Sequence, residues 1–397
     1  MQNIKLTDNI FYVGVNDRRT ELFENQMPLP NGVSYNAYLI VDEKIALVDT
    51  VEASFLDEYL FKIKRVIGER KVDYLIVNHD EPDHSSSIHA IIKEYPGITI
   101  VGNARTFAPI ENFYGPIENK KIVAEGEELT LGRHHLQFYT IPMVHWPESM
   151  VTYETTEKIA FTNDAFGGFG TLDGTYFDDE ANLDYYEADM RRYYANIVGK
   201  VSVATQAALK KASTLDIRMI APSHGLIWRS NIAWVVDRYS RWSNYQSEEG
   251  VVIVYGSMYG NTARMADIIA RGVADAGVKE VRVYDVAKTH VSYLMSDIWK
   301  YKGVVFGSCT HYLSIFPPME LLLHELEQIQ PKNKVLGVFG GMSWAGAGAK
   351  KIMNANETIK WQQIGDAVEV KGAPIREDDI EKLYALGLAI GEAVKNN

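Results

Sequence analysis

The chain has 397 residues, 46% hydrophobic and 23% charged, which is room for two cores and an ordinary balance for a soluble globular protein. A formal charge of −12 argues against nucleic acid as a partner, and no apolar run nears the roughly 18–20 residues of a membrane span. Cys309 is the single cysteine and no secretory signal is recognised; this excludes intrachain disulfides and thiolate metal sites and fits a reducing cytoplasm.

In chain order, the first part reads as short β runs broken by turns. They are "IFYVGV", "AYLIVD", "KIALVDT" (a hairpin about Asp42–Lys44), "ITIVGN", "LQFYTI" and "KIAFTN". Helical patterns interrupt them at 53–67 and through "DEANLDYYEADMRRYYANIVGKV". From Val251 the texture becomes strict alternation of strand and helix. "VVIVYG", "EVRVYD", "KGVVFGS" and "KVLGVFG" are each followed by a helical pattern, and an amphipathic helix over 376–396 closes the chain. That alternation predicts a doubly wound parallel sheet. The polar run "SNYQSEEG" sets the expected boundary, giving domains 1–249 and 250–397. Residues 1–249 hold 24 basic and 36 acidic side chains and residues 250–397 hold 16 of each, so the excess acidity lies entirely in the first domain.

Chemistry concentrates at strand ends. "NHDEPDHSS" (78–86) leaves "YLIV" with His79, Glu81, Asp83 and His84. Alternate residues 79, 81 and 83 can face one side of such a loop, and 83 and 84 can diverge towards two ions. Ser85–Ser87 are natural N-caps for a helix carrying Ile88, Ile91 and Ile92. "LQFYTIPMVH" delivers His145, "KIAFTND" Asp164, and "IRMIAPSH" His224. A plain polar surface loop is the alternative for 78–86 alone. Three carboxylates gathered without cations, however, would repel by roughly 4 kcal/mol per close pair at an effective dielectric near 20. Four imidazoles and three carboxylates suit two ions sharing a bridging carboxylate, with iron or manganese as apt as zinc.

The run H-x-E-x-D-H, followed by single His, Asp and His residues, resembles the metallo-β-lactamase fold. Hydrolases of that fold normally carry histidine where this chain has Glu81. Glutamate there marks the flavodiiron proteins, to which the chain is similar over essentially its whole length. "SYNAYLI", "HWPESM", "NDAFG", "RYYANI" and "APSHG" look like theirs too. The resemblance implies one iron on His79, Glu81 and His145, a second on Asp83, His84 and His224, and Asp164 bridging them. Glu148 departs from the family's more frequent aspartate and is not expected to be a ligand. Tyr193 or Tyr194 in "RYYANI" can approach the site, although buried core tyrosines are the plainer reading.

In "VVIVYGSMYGNTARMA" a strand meets a helix through a small-residue polar loop. Ser257, Met258, Tyr259, Gly260, Asn261 and Thr262 offer hydroxyls and backbone N–H groups at a helix N-terminus, a phosphate site without lysine. It is neither a Walker loop nor G-x-G-x-x-G, so a monophosphate such as that of FMN fits best. Two later strand ends add Ser308, Thr310, His311 and Tyr312, then Ser343, Trp344, Ala345 and Gly346. Trp344, among small residues, is placed to stack on an isoalloxazine ring, with core packing as the alternative. This half looks like flavodoxin, but S-C-T-H-Y-L replaces the family's frequent S-P-T-x-N-N.

The expected architecture is a metallo-β-lactamase-like αββα sandwich followed by a flavodoxin-like doubly wound parallel sheet. The resemblance implies FMN and two iron ions, and reduction of dioxygen to water, of nitric oxide to nitrous oxide, or both. It also implies a head-to-tail homodimer, with further pairing to a tetramer open. With no C-x-x-C pair in the chain, electrons must come from a separate donor such as rubredoxin or a reduced deazaflavin. The competing readings are a zinc-dependent hydrolase with an accessory flavodoxin domain, which Glu81 opposes, and a non-enzymatic sensor of oxygen or nitric oxide.

Overall fold

Short strands with one apolar face must pair and then bury that face against another layer. The computed structural model of the chain, which describes residues 4–396, shows how this is met in each of two compact units, Met1–Ser240 and Arg241–Asn397.

The first unit is built on two sheets. One has seven strands, antiparallel from Ile4–Lys5 through Ile10–Tyr12 and Tyr38–Val41 to Ile45–Val48. It then continues parallel through Tyr74–Ile76 and Thr99–Gly102 to Lys120–Ile122. The expected hairpin is present, with Val41 opposite Ile45. The other sheet orders Glu128–Thr130, His135–Thr140, Met150–Glu154, Ile159–Phe161 and Met219–Ala221. The two sheets face each other across buried aromatic and polar contacts. Tyr38 packs on Phe161 with ring centroids 5.1 Å apart, and its hydroxyl donates to the Pro222 carbonyl at 2.6 Å. Asn78, at the end of its strand, reaches the second sheet. Its backbone carbonyl accepts from Met150 N at 2.9 Å and its Oδ1 from the Thr152 hydroxyl at 2.7 Å.

Helices flank these sheets. The pattern at 53–67 becomes one tight turn, Ala53–Phe55, and a helix Leu56–Ile67 that buries Tyr59, Ile63 and Ile67. The long pattern near 180–201 is not one helix. It runs as Leu183–Tyr193, widens to a π turn over Tyr194–Val198 and tightens over Gly199–Val201. Such wide turns re-aim side chains at sites of function.

In the second unit the strands are parallel in the order Val281–Asp285, Glu248–Gly256, Tyr301–His311, Val335–Met342 and Val368–Lys371. Numbered along the chain this is 2-1-3-4-5, the flavodoxin order. The strand Glu248–Gly256 is apolar on both faces because both are covered. Val252 and Val254 pack with Leu294 and Leu322, while Val251 and Ile253 pack with Ile269 and Ile390. The last strand, "VEVK", is short and half exposed, and its pattern is too brief to identify it from sequence. Where helices Asn261–Asp275 and Glu377–Lys395 cross, a Cβ on Gly272 would come within 2.3 Å of the Tyr384 carbonyl, so the close approach requires glycine.

Candidate metal centre and flavin loops

The seven strand-end residues converge. Nε2 of His79 lies 3.3 Å from Glu81 Oε2, 3.3 Å from His145 Nε2 and 3.1 Å from Asp164 Oδ2. Nε2 of His84 lies 3.1 Å from His224 Nε2, 3.2 Å from Asp83 Oδ2 and 3.2 Å from Asp164 Oδ1. Two donor groups result, His79–Glu81–His145–Asp164 and Asp83–His84–His224. Asp164 joins them, presenting Oδ2 to the first and Oδ1 to the second.

Local structure explains the convergence and corrects the loop geometry expected from sequence. Pro82 starts a single helical turn, Pro82–Ser85, and that turn places Asp83 and His84 in the same group; they do not diverge to separate ions. The serines do not cap the following helix Ile88–Glu94 either. The Ser85 hydroxyl donates to Asp80 O at 2.6 Å, that of Ser87 donates to Val51 O at 2.8 Å, and that of Ser86 accepts from Ala53 N at 2.9 Å. They pin the ligand loop to its neighbours.

The donor atoms fit metal ions. Ligands roughly 2.0–2.2 Å from a cation sit about 2.9–3.5 Å from one another in tetrahedral or octahedral shells, the separations observed here. The tautomers fit as well. Nδ1 of His224 donates to the Ser34 carbonyl at 2.7 Å, and Nδ1 of His79 faces Glu148 Oε1 at 2.8 Å, so each Nε2 carries the lone pair. Both oxygens of Asp83 and Oδ2 of Asp164 are buried without a hydrogen-bond donor. Burial opposes charge on His84 and His145, but the adjacent carboxylates, Asp83 and Asp164 for the first and Asp164 and Glu81 for the second, push both up to about 9. The cluster therefore attracts positive charge, as protons or as metal.

The second unit carries the other polar cluster. The parallel register sets Gly256 beside Ser308 and Ser308 beside Gly340, so three loops leave the sheet at one edge. Gly260, at φ +86°, turns the first loop into its helix, and the Ser257 hydroxyl accepts from Gly260 N at 3.0 Å. No side chain caps that helix, which leaves its first N–H groups facing outward near Asn261, with Thr262 buried behind. Thr310 links the second and third loops by accepting from Ala347 N at 3.0 Å. Ser308 is buried, its hydroxyl donating to Cys309 O at 2.8 Å, so it shapes the loop from within. His311 packs against Tyr312 at 4.1 Å. Tyr259, Tyr312 and Trp344 are 82–91% exposed, and Met258, Ser343 and Gly346 are exposed with them, Ala345 less so. Trp344 is thus no core residue. An uncapped helix start with broad rings at one sheet edge suits a flat phosphorylated ligand such as FMN.

Comparison with known proteins agrees with both halves. Residues 33–225 match the ODP family beta lactamase model and residues 253–385 the flavodoxin model. A nitric oxide reductase of Moorella thermoacetica is 35% identical over 401 residues, covering 99% of each chain. The rubredoxin oxygen:oxidoreductase of Desulfovibrio gigas superposes with TM-score 0.95 at 32% identity, covering 100% of this chain and 99% of that one. The flavodiiron protein of Giardia intestinalis gives TM-score 0.95 at 27% identity over 100% and 97%. The chain belongs to the flavodiiron proteins.

Several residues around this candidate metal centre carry no signal in motif spacing. Asp49, at φ +57°, accepts from Asn78 N at 2.7 Å and from Asn78 Nδ2 at 3.2 Å, holding the start of the ligand loop. A strand-end carboxylate in "KIALVDT" was the available hint. Phe23, Tyr35 and Tyr193 ring His224 at centroid distances of 5.7, 5.9 and 5.4 Å. Of the two tyrosines in "RYYANI", Tyr194 shares a hydrogen bond with Ser202 at 3.0 Å. The buried Tyr193 hydroxyl has no hydrogen-bond partner among the described residues, and burial together with Asp164, Glu81 and Asp83 raises its pKa well above the usual value. Gly225, at φ +70°, lies against Tyr186, where a side chain would overlap the phenol.

Proposed function

We propose that this flavodiiron chain reduces dioxygen to water, nitric oxide to nitrous oxide, or both. Electrons would enter from an external donor through FMN and reach two iron ions. The observation that carries the reading is Asp164, one buried carboxylate whose two oxygens face two separate histidine–carboxylate groups.

His79, Glu81 and His145 would hold one iron, and Asp83, His84 and His224 the other, with Asp164 shared. Loops 257–262, 308–312 and 343–346 would hold FMN. The two irons supply electrons and Lewis acidity to a small molecule, and FMN stores one or two electrons for delivery. The chain's own residues do the rest. Glu148 and the Ser34 carbonyl fix the imidazole tautomers of His79 and His224. Tyr193, kept protonated by its surroundings, offers a hydroxyl proton beside the carboxylates. The aromatic ring around His224 limits water access.

Overall balance requires four electrons and four protons per dioxygen, or two of each per pair of nitric oxide molecules. A hydrolase with an accessory flavodoxin domain has no support in the relatives, which are named as reductases. Among the described residues no helix is long and apolar enough to cross a membrane. Rubredoxin is the first donor to test, since the Desulfovibrio gigas relative is named for it; a reduced deazaflavin is the other. A head-to-tail dimer would set the flavin of one subunit beside the irons of its partner. The residue assignments follow domains 1–249 and 250–397.

The deciding experiment is anaerobic turnover of iron- and FMN-loaded protein with reduced rubredoxin and each gas. Sustained consumption of at least one gas is expected. Neither gas consumed, with zinc-dependent ester hydrolysis instead, would overturn the reading.

A further inference from the structure

Behind the strand ends that carry His145 and Asp164 lies a mainly apolar pocket of about 220 Å³, open to solvent on its helical side, where Ser213 is exposed and Ala208, Ala212 and Leu215 are half-buried. It separates the five-stranded sheet from helices Ser202–Ala212 and Ile232–Ser243, and its walls include Val144, Ala165, Phe166, Leu209, Ile220 and Val236. Val144 and Ala165 are the immediate chain neighbours of His145 and Asp164, so this space shares a wall with the donor cluster.

Polar side chains of the lining, among them Tyr139, whose hydroxyl donates to Gln137 Oε1 at 2.9 Å, have partners of their own. The Thr162 hydroxyl donates to Ala165 O at 2.8 Å, that of Thr205 to Val201 O at 3.2 Å, and that of Ser213 to Lys210 O at 2.8 Å. The Lys211 ammonium reaches Thr140 O at 2.6 Å and Glu125 Oε1 at 2.7 Å. Water is held poorly where it lacks two to four polar partners, and apolar space of roughly 150 Å³ accepts xenon or benzene.

We infer that this cavity is a holding site for small apolar gas molecules, supplying the metal centre through its shared Val144–Ala165 wall. Dioxygen and nitric oxide are weakly polar and partition from water into apolar space for the same reason that hydrocarbon does. A gas held there is one short step from the centre, so capture at the metals is faster, which lowers the bulk concentration needed for half-maximal rate without altering the chemical step. The inference rests on the gas-reductase reading given above.

Two measurements test it on the iron- and FMN-loaded protein. Crystals pressurised with xenon should show anomalous density between the sheet and the two helices. Ala208→Phe and the milder Ala212→Leu, which fill the cavity from its helical wall, should abolish that density. They should also raise KM for the gas about two- to threefold with kcat unchanged, the pattern of slower gas capture with the chemical step intact. Absence of xenon from the wild-type cavity overturns the site. Xenon bound, but KM unchanged in a folded variant that excludes it, overturns the supply role. Wild-type protein that binds xenon but consumes neither gas overturns the gas-reductase reading, and with it the supply role, while leaving the cavity as an apolar guest site.

Discussion

Glu148 Oε1 sits 2.8 Å from His79 Nδ1 and also accepts from Asp80 N at 3.1 Å. The glutamate that replaces the commoner aspartate in "HWPESM" therefore reaches back to orient a candidate ligand. Carboxylates in this position set both tautomer and ring angle. Glu148→Ala should weaken iron binding at the His79 group by about 10- to 100-fold, the usual cost of such a partner. Glu148→Gln, whose amide oxygen still accepts a hydrogen bond, should lose much less. Iron content after dialysis against a graded chelator, with FMN absorbance as an internal control, measures both.

Asp164 makes a stronger case. Asp164→Ala removes the one group shared by both donor sets, and His84→Ala removes a single ligand. Each variant should lose gas consumption while retaining bound yellow flavin, because the candidate flavin loops belong to the other compact unit. Full turnover in either variant would refute the ligand assignment.

Tyr193→Phe separates chemistry from stability. Its hydroxyl has no partner, so removing it breaks no hydrogen bond and the unfolding free energy should change by less than about 0.5 kcal/mol. Turnover should fall about tenfold, the equivalent of one hydrogen bond of about 1.4 kcal/mol made to the reacting species. Denaturant unfolding and steady-state rates on one preparation test the pair of outcomes.

Lys334, the first residue of "KVLGVFG", is a buried lysine. Its Nζ contacts Ser247 Oγ at 2.7 Å, Trp299 O at 2.9 Å and Tyr301 O at 2.8 Å. Lys334→Met strands three acceptors and should destabilise the second unit by about 2–4 kcal/mol. Burial, reinforced by Lys302, holds the Lys334 pKa well below that of an ordinary lysine. The unfolded chain therefore binds this proton more tightly than the folded one, and folding stability from this group rises with pH in the window between the depressed folded value and the ordinary lysine value. Unfolding of wild type and variant across that window should show the wild type gaining relative stability as pH increases.

Chelation should affect the two units differently. Stripping metal leaves the Asp83, Asp164 and Glu81 carboxylates facing one another, and the ligand-free first unit loses the stabilisation that binding confers. Its thermal transition should fall while flavin fluorescence reports an unchanged second unit. Two equal shifts would contradict independent cofactor sites.

Much of this molecule is legible in its sequence because strand ends and turns leave local marks. The seven donors stand where apolar runs stop, and the parallel sheet follows from alternating β-rich and helical patterns. What stayed hidden depends on tertiary approach. Asp49 and Glu148 act through partners 29 and 69 residues away. No spacing rule distinguishes Tyr193 from Tyr194; the π turn that begins after Tyr193 separates them. The serines after His84 look like helix caps, but a proline-started turn uses them as staples. The strand "VEVK" acquires its identity only by pairing with Val335–Met342.

The division of Asp164 between the two groups has a consequence for assembly. A carboxylate anchored through one oxygen has its other oxygen aimed in advance, so occupancy of either pocket prepares its twin. Loading should then be all-or-none, with half-filled molecules scarce throughout a titration.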